Sequence, residues 1–336
     1  MGLWSRYRLR VERRRRRFRA LRKRRELTCV FDRTGQINPR DILVFSTLRN
    51  EKPRLAYFLK YYRALGVNHF FFVDNDSTDG GREYLADQPD VSIWTTTASY
   101  KRSKFGVDWL NGLKSKYANG HWVLVVDVDE LLVYPFCDTR SLRALTDWLD
   151  ASSIKSFGTM LLDMYPQGKI QHARIREGRD PVKTAPYFDS SNYFTERNKK
   201  YGNLWIQGGP RMRSFFRDKP AFAPALNKTP LVKWSKGYVY VSSTHTLLPR
   251  GLNLVYDEWG GQKPCGVLLH TKFMNTFSEK AEEEMKRKQH YAASREYRTY
   301  LKQMDGDLKL WTEHSSAYEN WQQLEDLGLM SRGNWV

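Results

Sequence analysis

The chain has 336 residues, 40% of them hydrophobic, and a formal net charge of +19 at pH 7. This length allows one large hydrophobic core or two smaller ones, and no apolar run approaches the roughly 18 to 20 residues that cross a bilayer. The three cysteines, Cys29, Cys137 and Cys265, match neither a zinc pattern nor a disulfide framework, which favours a reducing cytoplasm.

The positive charge is concentrated in residues 1–25, which we call the basic arm. The arm holds thirteen Lys or Arg residues and one Glu, hence a net charge of +12. Bulky apolar residues interrupt the basic run, partly at helical spacing: Leu3, Trp4, Tyr7, Val11, Phe18 and Leu21. Such a segment can lie on an anionic membrane, attract nucleic acid, or remain solvated and disordered. Nucleic acid is disfavoured, because no zinc or helix-turn-helix pattern follows the arm.

Residues 26–40 are predicted to form a linker, and from residue 41 strands and helices alternate. We predict strands at residues 42–45, 69–73, 91–95 and 123–126, with helices at 50–65, 82–86 and 103–117 between them. Strand–helix–strand repetition of this kind indicates a mostly parallel central sheet flanked by helices, in the α/β class.

The pattern changes after residue 141. A helix at residues 141–149 and a strand at 157–164 precede a long polar stretch, residues 167–202, which we interpret as a lid or an acceptor-binding loop. Short strands are predicted at residues 211–216, 231–234, 238–242 and 267–273, and a charged surface helix at 278–304.

The most informative segment is the apolar run Val123-Leu124-Val125-Val126, which leads into Asp127-Val128-Asp129-Glu130. An apolar run of this kind is typical of a buried parallel strand. Because side chains alternate along a strand, Asp127 and Asp129 should leave its end on the same side. Ligands bind at the carboxyl ends of strands in open α/β sheets, and two carboxylates there suit Mg²⁺ or Mn²⁺. The alternative is a turn with solvated acids.

Several motifs occur together in a recognisable order. They are Thr47-Leu48-Arg49-Asn50-Glu51, Asp74-Asn75-Asp76-Ser77-Thr78-Asp79-Gly80, Asp127-Val128-Asp129, Gly208-Gly209-Pro210-Arg211 and Leu269-His270-Thr271-Lys272-Phe273. This set resembles the GT-A glycosyltransferases of family 2 and the related family 92-like enzymes. The resemblance implies a GT-A (Rossmann-like) fold at residues 41–275, with a nucleotide-sugar-binding half at 41–135 and an acceptor half at 136–275. The charged helical pattern after it predicts a C-terminal helical extension at 276–336.

The resemblance also implies a metal site. Asp127 is expected at the ribose of the donor and beside the metal, and Asp129 on the metal. His270 resembles the third protein ligand of many GT-A enzymes, and an imidazole ligand favours Mn²⁺ somewhat over Mg²⁺. The alternative for His270 is a hydrogen-bonded core histidine.

The same resemblance assigns the nucleotide pocket. Asp74 is expected to contact the base, and Thr47, Arg49 and Glu51 to form the opposite wall. Arg211, Arg213 and Lys272 are candidate contacts of the diphosphate. The alternatives are a turn-forming role for the acid and solvated or surface-paired charges for the basic residues.

Transfer to a hydroxyl group also needs a general base. Asp163 is the predicted candidate, with Glu130 and Glu258 as alternatives, although Asp163 can instead cap the turn that follows it. The Glu-Asp or Asp-Asp dipeptide that carries the base in this family is absent after the metal site. The resemblance therefore leaves the base and the stereochemistry of transfer open. His245 is a candidate contact of the acceptor or the metal shell, or a structural residue.

These observations predict a metal-dependent glycosyltransferase of the hexosyltransferase type, with Mn²⁺ or Mg²⁺ as cofactor. It would move a sugar from a nucleotide-sugar donor to a glycan or lipid-linked acceptor, in polysaccharide or cell-envelope glycan synthesis. One alternative is a nucleotidyltransferase or phosphohydrolase that uses the same carboxylates, and another is a non-enzymatic nucleic-acid-binding protein. No apolar segment of a secretory signal follows the arm, so we expect a cytoplasmic protein, free or peripheral at the inner face of the membrane.

Overall fold

The computed structural model describes residues 2–256, 261–277 and 308–336. The helices in these ranges are α1 (Leu3–Lys23), α2 (Lys52–Ala64), α3 (Gly81–Ala86), α4 (Val107–Tyr117), α5 (Leu142–Ala151), α6 (Gly209–Phe215) and α7 (Trp321–Asp326). The strands are β1 (Thr28–Phe31), β2 (Ile42–Leu48), β3 (His69–Asp74), β4 (Val91–Thr95), β5 (Trp122–Val125), β6 (Glu130–Val133), β7 (Ser156–Asp163), β8 (Tyr187–Asp189), β9 (Tyr193–Arg197), β10 (Leu204–Gly208), β11 (Asn227–Lys233), β12 (Val239–Ser242), β13 (Thr246–Leu248), β14 (Cys265–His270) and β15 (Ser315–Ala317).

A nine-stranded sheet forms the centre of the protein, in the order β1-β4-β3-β2-β5-β11-β7-β14-β6. Strands β4, β3, β2, β5, β7 and β14 run in one direction, and β1, β11 and β6 run in the other. The predicted α/β fold, with a large and mostly parallel sheet flanked by helices, is confirmed.

Alternate residues of β2 enter two hydrophobic clusters, one on each face of the sheet. Ile42 and Val44 join a cluster with Phe58 of α2, whereas Leu43 and Phe45 join a cluster with Trp109 of α4. The strand is buried on both faces, and this explains why its sequence is a continuous apolar run without polar alternation.

The strand order places a switch point between β2 and β5. From β2 the chain builds outward through β3 and β4, and it then returns to add β5 on the other side of β2. Because the two connections leave in opposite directions, a crevice forms at the carboxyl ends of β2 and β5, where ligands of open α/β sheets bind.

Two predicted segments differ from the structure. The predicted linker at residues 26–40 contains β1, which pairs antiparallel with β4 at the edge of the sheet. The strand predicted at residues 211–216 is wrong, since Gly209–Phe215 form helix α6. Gly208, with φ of +144°, precedes this helix and Pro210 lies in its first turn, a combination that starts a helix.

The polar stretch at residues 167–202 contains regular structure. Strand β9 pairs antiparallel with β10, and β8 pairs with β15 near the carboxyl terminus. Trp321 and Trp335 of the predicted extension are buried in the main hydrophobic cluster. The helix predicted at residues 278–304 lies outside the described residues.

The basic arm forms α1, a single helix with Leu9 and Ala20 buried against the rest of the protein. Arg19 Nε lies 2.6 Å from Asp108 Oδ2 on α4. The arm is therefore a packed helix, in place of the solvated, disordered segment considered above. Within the described ranges, no helix combines the length and the apolar character that a membrane crossing requires.

Candidate functional site

A small, partly open cleft lies at the carboxyl ends of β2 and β5. The residues that line it include Thr47 from β2, Lys114 from α4, Asp127 after β5, Lys228 from β11 and Tyr240 from β12. The cleft therefore coincides with the switch point of the sheet, and its polar groups include two lysines and the two carboxylates of Asp127 and Glu130.

Glycine at position 106 brings the start of α4 against β2. Gly106 has a φ of +76°, which favours glycine, and a Cβ atom there would lie 2.6 Å from Thr47 Oγ1. Any larger residue would push α4 away from β2 or displace Thr47. The width of the cleft at this point depends on this close approach.

Lys228 neutralises the acidic loop that follows β5. Its Nζ atom pairs with the buried carboxylate of Glu130 and lies 3.6 Å from Asp127 Oδ2. Burial would lower the pKa of Lys228, but Glu130, Asp127 and Asp129 outweigh it and raise that pKa. The Asp127 side chain is 57% exposed, so it faces the open part of the cleft while Glu130 anchors the loop from below.

Lys114 is a buried lysine without a carboxylate partner among the described residues. Only 1% of the residue is exposed, and its Nζ lies 4.0 Å and 4.4 Å from the ring centroids of Tyr240 and Trp234. Burial holds the pKa of Lys114 well below its usual value. Cation–π contacts offset only part of the cost of burying a charge. This side chain therefore favours an anion in the cleft.

A second cluster of charged groups lies where β7 and β14 end. These strands are parallel, and their register places His270 opposite Asp163. His270 Nδ1 lies 2.6 Å from Asp163 Oδ1, and Arg211 Nε donates to Asp163 Oδ2 at 2.7 Å. On the other side of the ring, His270 Nε2 lies 3.5 Å from Asp129 Oδ2. We call these four residues the acid–histidine cluster.

Electrostatics within this cluster favour a charged and fully paired arrangement. Burial would lower the pKa of His270, but Asp129 and Asp163 outweigh it and raise that pKa. Burial would raise the pKa of Asp163, yet Arg211 and His270 hold it below its usual value. Asp163 is therefore a carboxylate near neutral pH, with both oxygens bound by neighbours.

Asp129 and His270 fit a pair of ligands for a divalent cation, provided that the cation displaces the proton that the two carboxylates favour on His270. Asp129 Oδ2 and His270 Nε2 converge, and the other ring nitrogen is held by a carboxylate, as is usual for a metal-binding histidine. Within the described part of the chain, no group of three or more His, Cys, Asp or Glu side chains is arranged to hold a metal. A cation bound here would need further oxygen ligands from substrate or water.

The predicted nucleotide pocket beside β3 is closed by internal contacts. Asp74 is fully buried, and it accepts hydrogen bonds from the backbone and hydroxyl of Ser77 and pairs with Arg82 at 3.1 Å. Arg49 Nη1 donates to the carbonyls of Asn75 and Asp76 at 2.7 and 2.6 Å. In this structure both predicted contact residues thus stabilise the turn after β3, and the base-binding role of Asp74 stays a prediction.

Glu51 and Arg54 connect α2 to the acid–histidine cluster. Glu51 Oε2 lies 3.3 Å from Arg54 Nε, and the Arg54 guanidinium donates to the hydroxyl and carbonyl of Thr271 at 2.9 Å each. Thr271 N in turn donates to the carbonyl of Asp129 at 2.8 Å. These contacts fix the backbone on both sides of the Asp129–His270 pair.

The other predicted site residues have the following places. Arg211 and Arg213 pair with Asp163 and Asp189, each at 2.7 Å, so both predicted diphosphate contacts bind carboxylates of the protein. Lys272 directly follows Thr271, with its Nζ 5.8 Å from the ring centroid of Phe277. His245 Nδ1 lies 2.6 Å from the carbonyl of Asn227, which fits the structural alternative. Glu258 lies outside the described residues.

Lys114, Lys228 and Arg54 were not predicted as site residues. The sequence contains one indication that Lys114 is buried, because this residue lies seven residues after Val107 on the apolar face of α4. A lysine on such a face is either buried for a functional reason, or the predicted helix boundaries assign it to the wrong face. Lys228 gave no comparable signal, because its role depends on β11 lying next to β5.

No protein-family model matches this chain, and no curated protein matches it. Among solved structures, a Bacillus anthracis chain named as a glucose-1-phosphate thymidylyltransferase, in complex with sucrose, aligns with a TM-score of 0.26 and 9% sequence identity. The alignment covers 42% of this chain and 65% of that chain. This similarity is too low to support an argument about function.

Proposed function

We propose that this protein is a metal-dependent glycosyltransferase of the GT-A type, which transfers a sugar from a nucleotide-sugar donor to a hydroxyl acceptor. The observation that carries the proposal is the convergence of Asp129 and His270 close to a lysine-lined cleft at the switch point. A nucleoside diphosphate leaving group needs a cation and basic side chains in one place. The motif resemblance supports the same class.

The donor diphosphate is proposed to bind between the cleft lysines and the Asp129–His270 pair. Lys114 lacks an internal counter-charge within the described ranges, so an incoming phosphate would relieve the cost of its burial. Lys228 keeps Glu130 and Asp127 compatible with a nearby anion. Thr47 would contact the nucleotide from the β2 side of the cleft.

Asp129 and His270 would hold the cation, with Asp127 at the ribose side. When bound, Mn²⁺ or Mg²⁺ neutralises the charge that develops on the diphosphate as the sugar leaves, without proton transfer. Asp163 orients the His270 ring, with Nε2 directed toward Asp129, through its hydrogen bond to Nδ1.

Transfer breaks the bond between the anomeric carbon and the diphosphate oxygen, and forms one to the acceptor oxygen, whose proton passes to a base. Asp163 is 1% exposed, and Arg211 and His270 bind its two oxygens. A positioning role for Asp163 therefore fits better than the predicted role as base. A glycan or lipid-linked acceptor is proposed from the motif resemblance alone.

The proposal is tested by identifying what the protein releases from nucleotide-sugar donors in the presence of Mn²⁺. We expect slow donor hydrolysis to the free sugar and nucleoside diphosphate, lost in Asp129→Asn and on addition of a chelator. Asp150→Asn is the matched control, because Asp150 is a surface carboxylate paired with Lys233.

Two results would count against the proposal. Release of nucleoside monophosphate with a phosphorylated sugar would favour the phosphohydrolase alternative, because the bond broken would lie within the diphosphate. Equal activity in Asp129→Asn and the control would show that Asp129 has no role in the reaction.

A further inference from the structure

Helix α1 carries five of the large apolar side chains that are exposed in the described chain. Leu3, Trp4, Tyr7, Phe18 and Leu21 are all exposed, and the exposed fractions of Trp4 and Phe18 are 72% each. Tyr7 and Phe18 are about three helical turns apart, and so are Leu9 and Ala20, which are buried. Because Tyr7 and Leu9 lie on opposite sides of the helix, the apolar stripe points away from the protein.

Contacts on the inner face of α1 fix this orientation. Gly112 of α4 allows α1 to approach closely, since a Cβ atom there would lie 2.9 Å from the carbonyl of Ala20. Glu12 accepts from Tyr201 at 2.8 Å and pairs with Lys200 at 2.9 Å. Arg16 donates to the carbonyl of Val241 at 3.1 Å. The helix is therefore held along its length, and its outer face is presented as a rigid surface.

Positive charge surrounds the apolar stripe. Arg14 and Arg22 are exposed on the same side of the helix, and Arg25, just beyond its end, is exposed as well. A second copy of the basic arm would bring an equal charge of +12 against it, which opposes pairing between two such arms. Arginine side chains with interleaved Trp, Tyr, Phe and Leu fit an anionic lipid surface, where rings enter the interface and guanidinium groups bind phosphates.

We propose that the outer face of α1 docks the protein on an anionic lipid bilayer. Leu3, Trp4, Tyr7, Phe18 and Leu21 enter the headgroup region, and the exposed arginines bind lipid phosphates. The inner face keeps its contacts with α4, so docking requires no unfolding of the arm. Helix α4 both packs against α1 and lines the cleft, so it connects the docking surface to the candidate site.

The test is co-sedimentation of the full chain with vesicles of phosphatidylglycerol and phosphatidylcholine, compared with vesicles of phosphatidylcholine alone. We expect binding to the anionic vesicles only, weakened by salt. The triple variant Trp4→Gln, Tyr7→Gln, Phe18→Gln should bind at least about tenfold more weakly. Its thermal midpoint should be unchanged, because all three side chains are exposed.

The matched control is Phe194→Gln with Phe222→Gln, which removes exposed aromatic rings elsewhere on the surface and should bind vesicles like the wild type. Three results would overturn the proposal: equal vesicle binding by the triple variant and the wild type, binding to duplex DNA but not to vesicles, or a concentration-dependent dimer that the triple variant abolishes. None of these readouts depends on glycosyl transfer, so the proposed function and the docking surface can fail separately.

Discussion

The cleft and the acid–histidine cluster hold buried charge in opposite ways. In the cluster each charged group has a partner of opposite sign, with His270 between two carboxylates and Arg211 on Asp163. In the cleft, Lys114 has aromatic faces but no counter-ion among the described residues. The difference indicates that the charges of the cluster balance one another, whereas Lys114 leaves a buried amine in the cleft that an incoming anion can pair with.

The largest effect is expected when one partner is removed from the acid–histidine cluster. Arg211→Met leaves the carboxylate of Asp163 buried with one partner fewer, and should lower the free energy of unfolding by about 3–5 kcal/mol. Urea denaturation measures this loss. Lys233→Met breaks the exposed pair with Asp150 and should cost less than about 1 kcal/mol. Similar losses in the two variants would show that the buried Arg211–Asp163 pair stabilises the fold no more than an exposed ion pair does.

A second prediction uses a buried histidine that lacks the cluster's carboxylates. His69 bonds Ser92, and burial lowers the pKa of His69 to about 4, against about 6.5 in the unfolded chain. As pH falls from 6.5 to 4, His69 becomes protonated in the unfolded state but stays neutral in the folded state. Stability is therefore fully present above pH 6.5, and about 3 kcal/mol is lost by pH 4.

The variant His69→Gln keeps a hydrogen-bonding group beside Ser92 and removes this titration. Its free energy of unfolding should fall less between pH 7 and pH 4.5 than that of the wild type, as measured by denaturation at both values. An unchanged pH dependence in the variant would mean that His69 titrates normally. It would also weaken the distinction between buried groups that pair with an opposite charge and buried groups that do not.

A third, smaller effect should appear at Lys114. Lys114→Met replaces a buried amine, whose pKa burial holds low, by an apolar chain of similar length, and should raise the free energy of unfolding by about 1–2 kcal/mol. The same change should weaken binding of a nucleoside diphosphate about tenfold. Lys116→Met is the control, because Lys116 is exposed on the same helix. If Lys114→Met destabilises the fold without affecting binding, the lysine is structural.

Much of the sheet could be predicted because the local sequence pattern of its strands is enough to identify them. The run before Asp127 and the runs at β2 and β3 are apolar on both faces, so each indicates a buried strand without knowledge of its neighbours. Strand β1 was missed because its residues are exposed at the sheet edge. Helix α6 was missed because Gly208 and Pro210 override the local pattern.

Only those site residues that directly follow a predicted strand could be placed from the sequence. Asp127 and Asp129 follow a strand directly, and their position at its end could be deduced from sequence alone. The contacts of His270 with Asp163 depend on β7 and β14 being neighbours, although they are far apart in the chain. The partner of Arg211 and the aromatic contacts of Lys114 depend equally on pairing between distant segments. No local pattern contains that information.

The most direct test of the account is calorimetric titration with nucleoside diphosphates, with and without Mn²⁺, on the wild type and Asp129→Asn. The account predicts binding that requires Mn²⁺ in the wild type and weakens at least about 100-fold in Asp129→Asn, with the fold intact by circular dichroism. Binding of equal strength in both proteins, or no binding of any nucleoside diphosphate by the wild type, would contradict it.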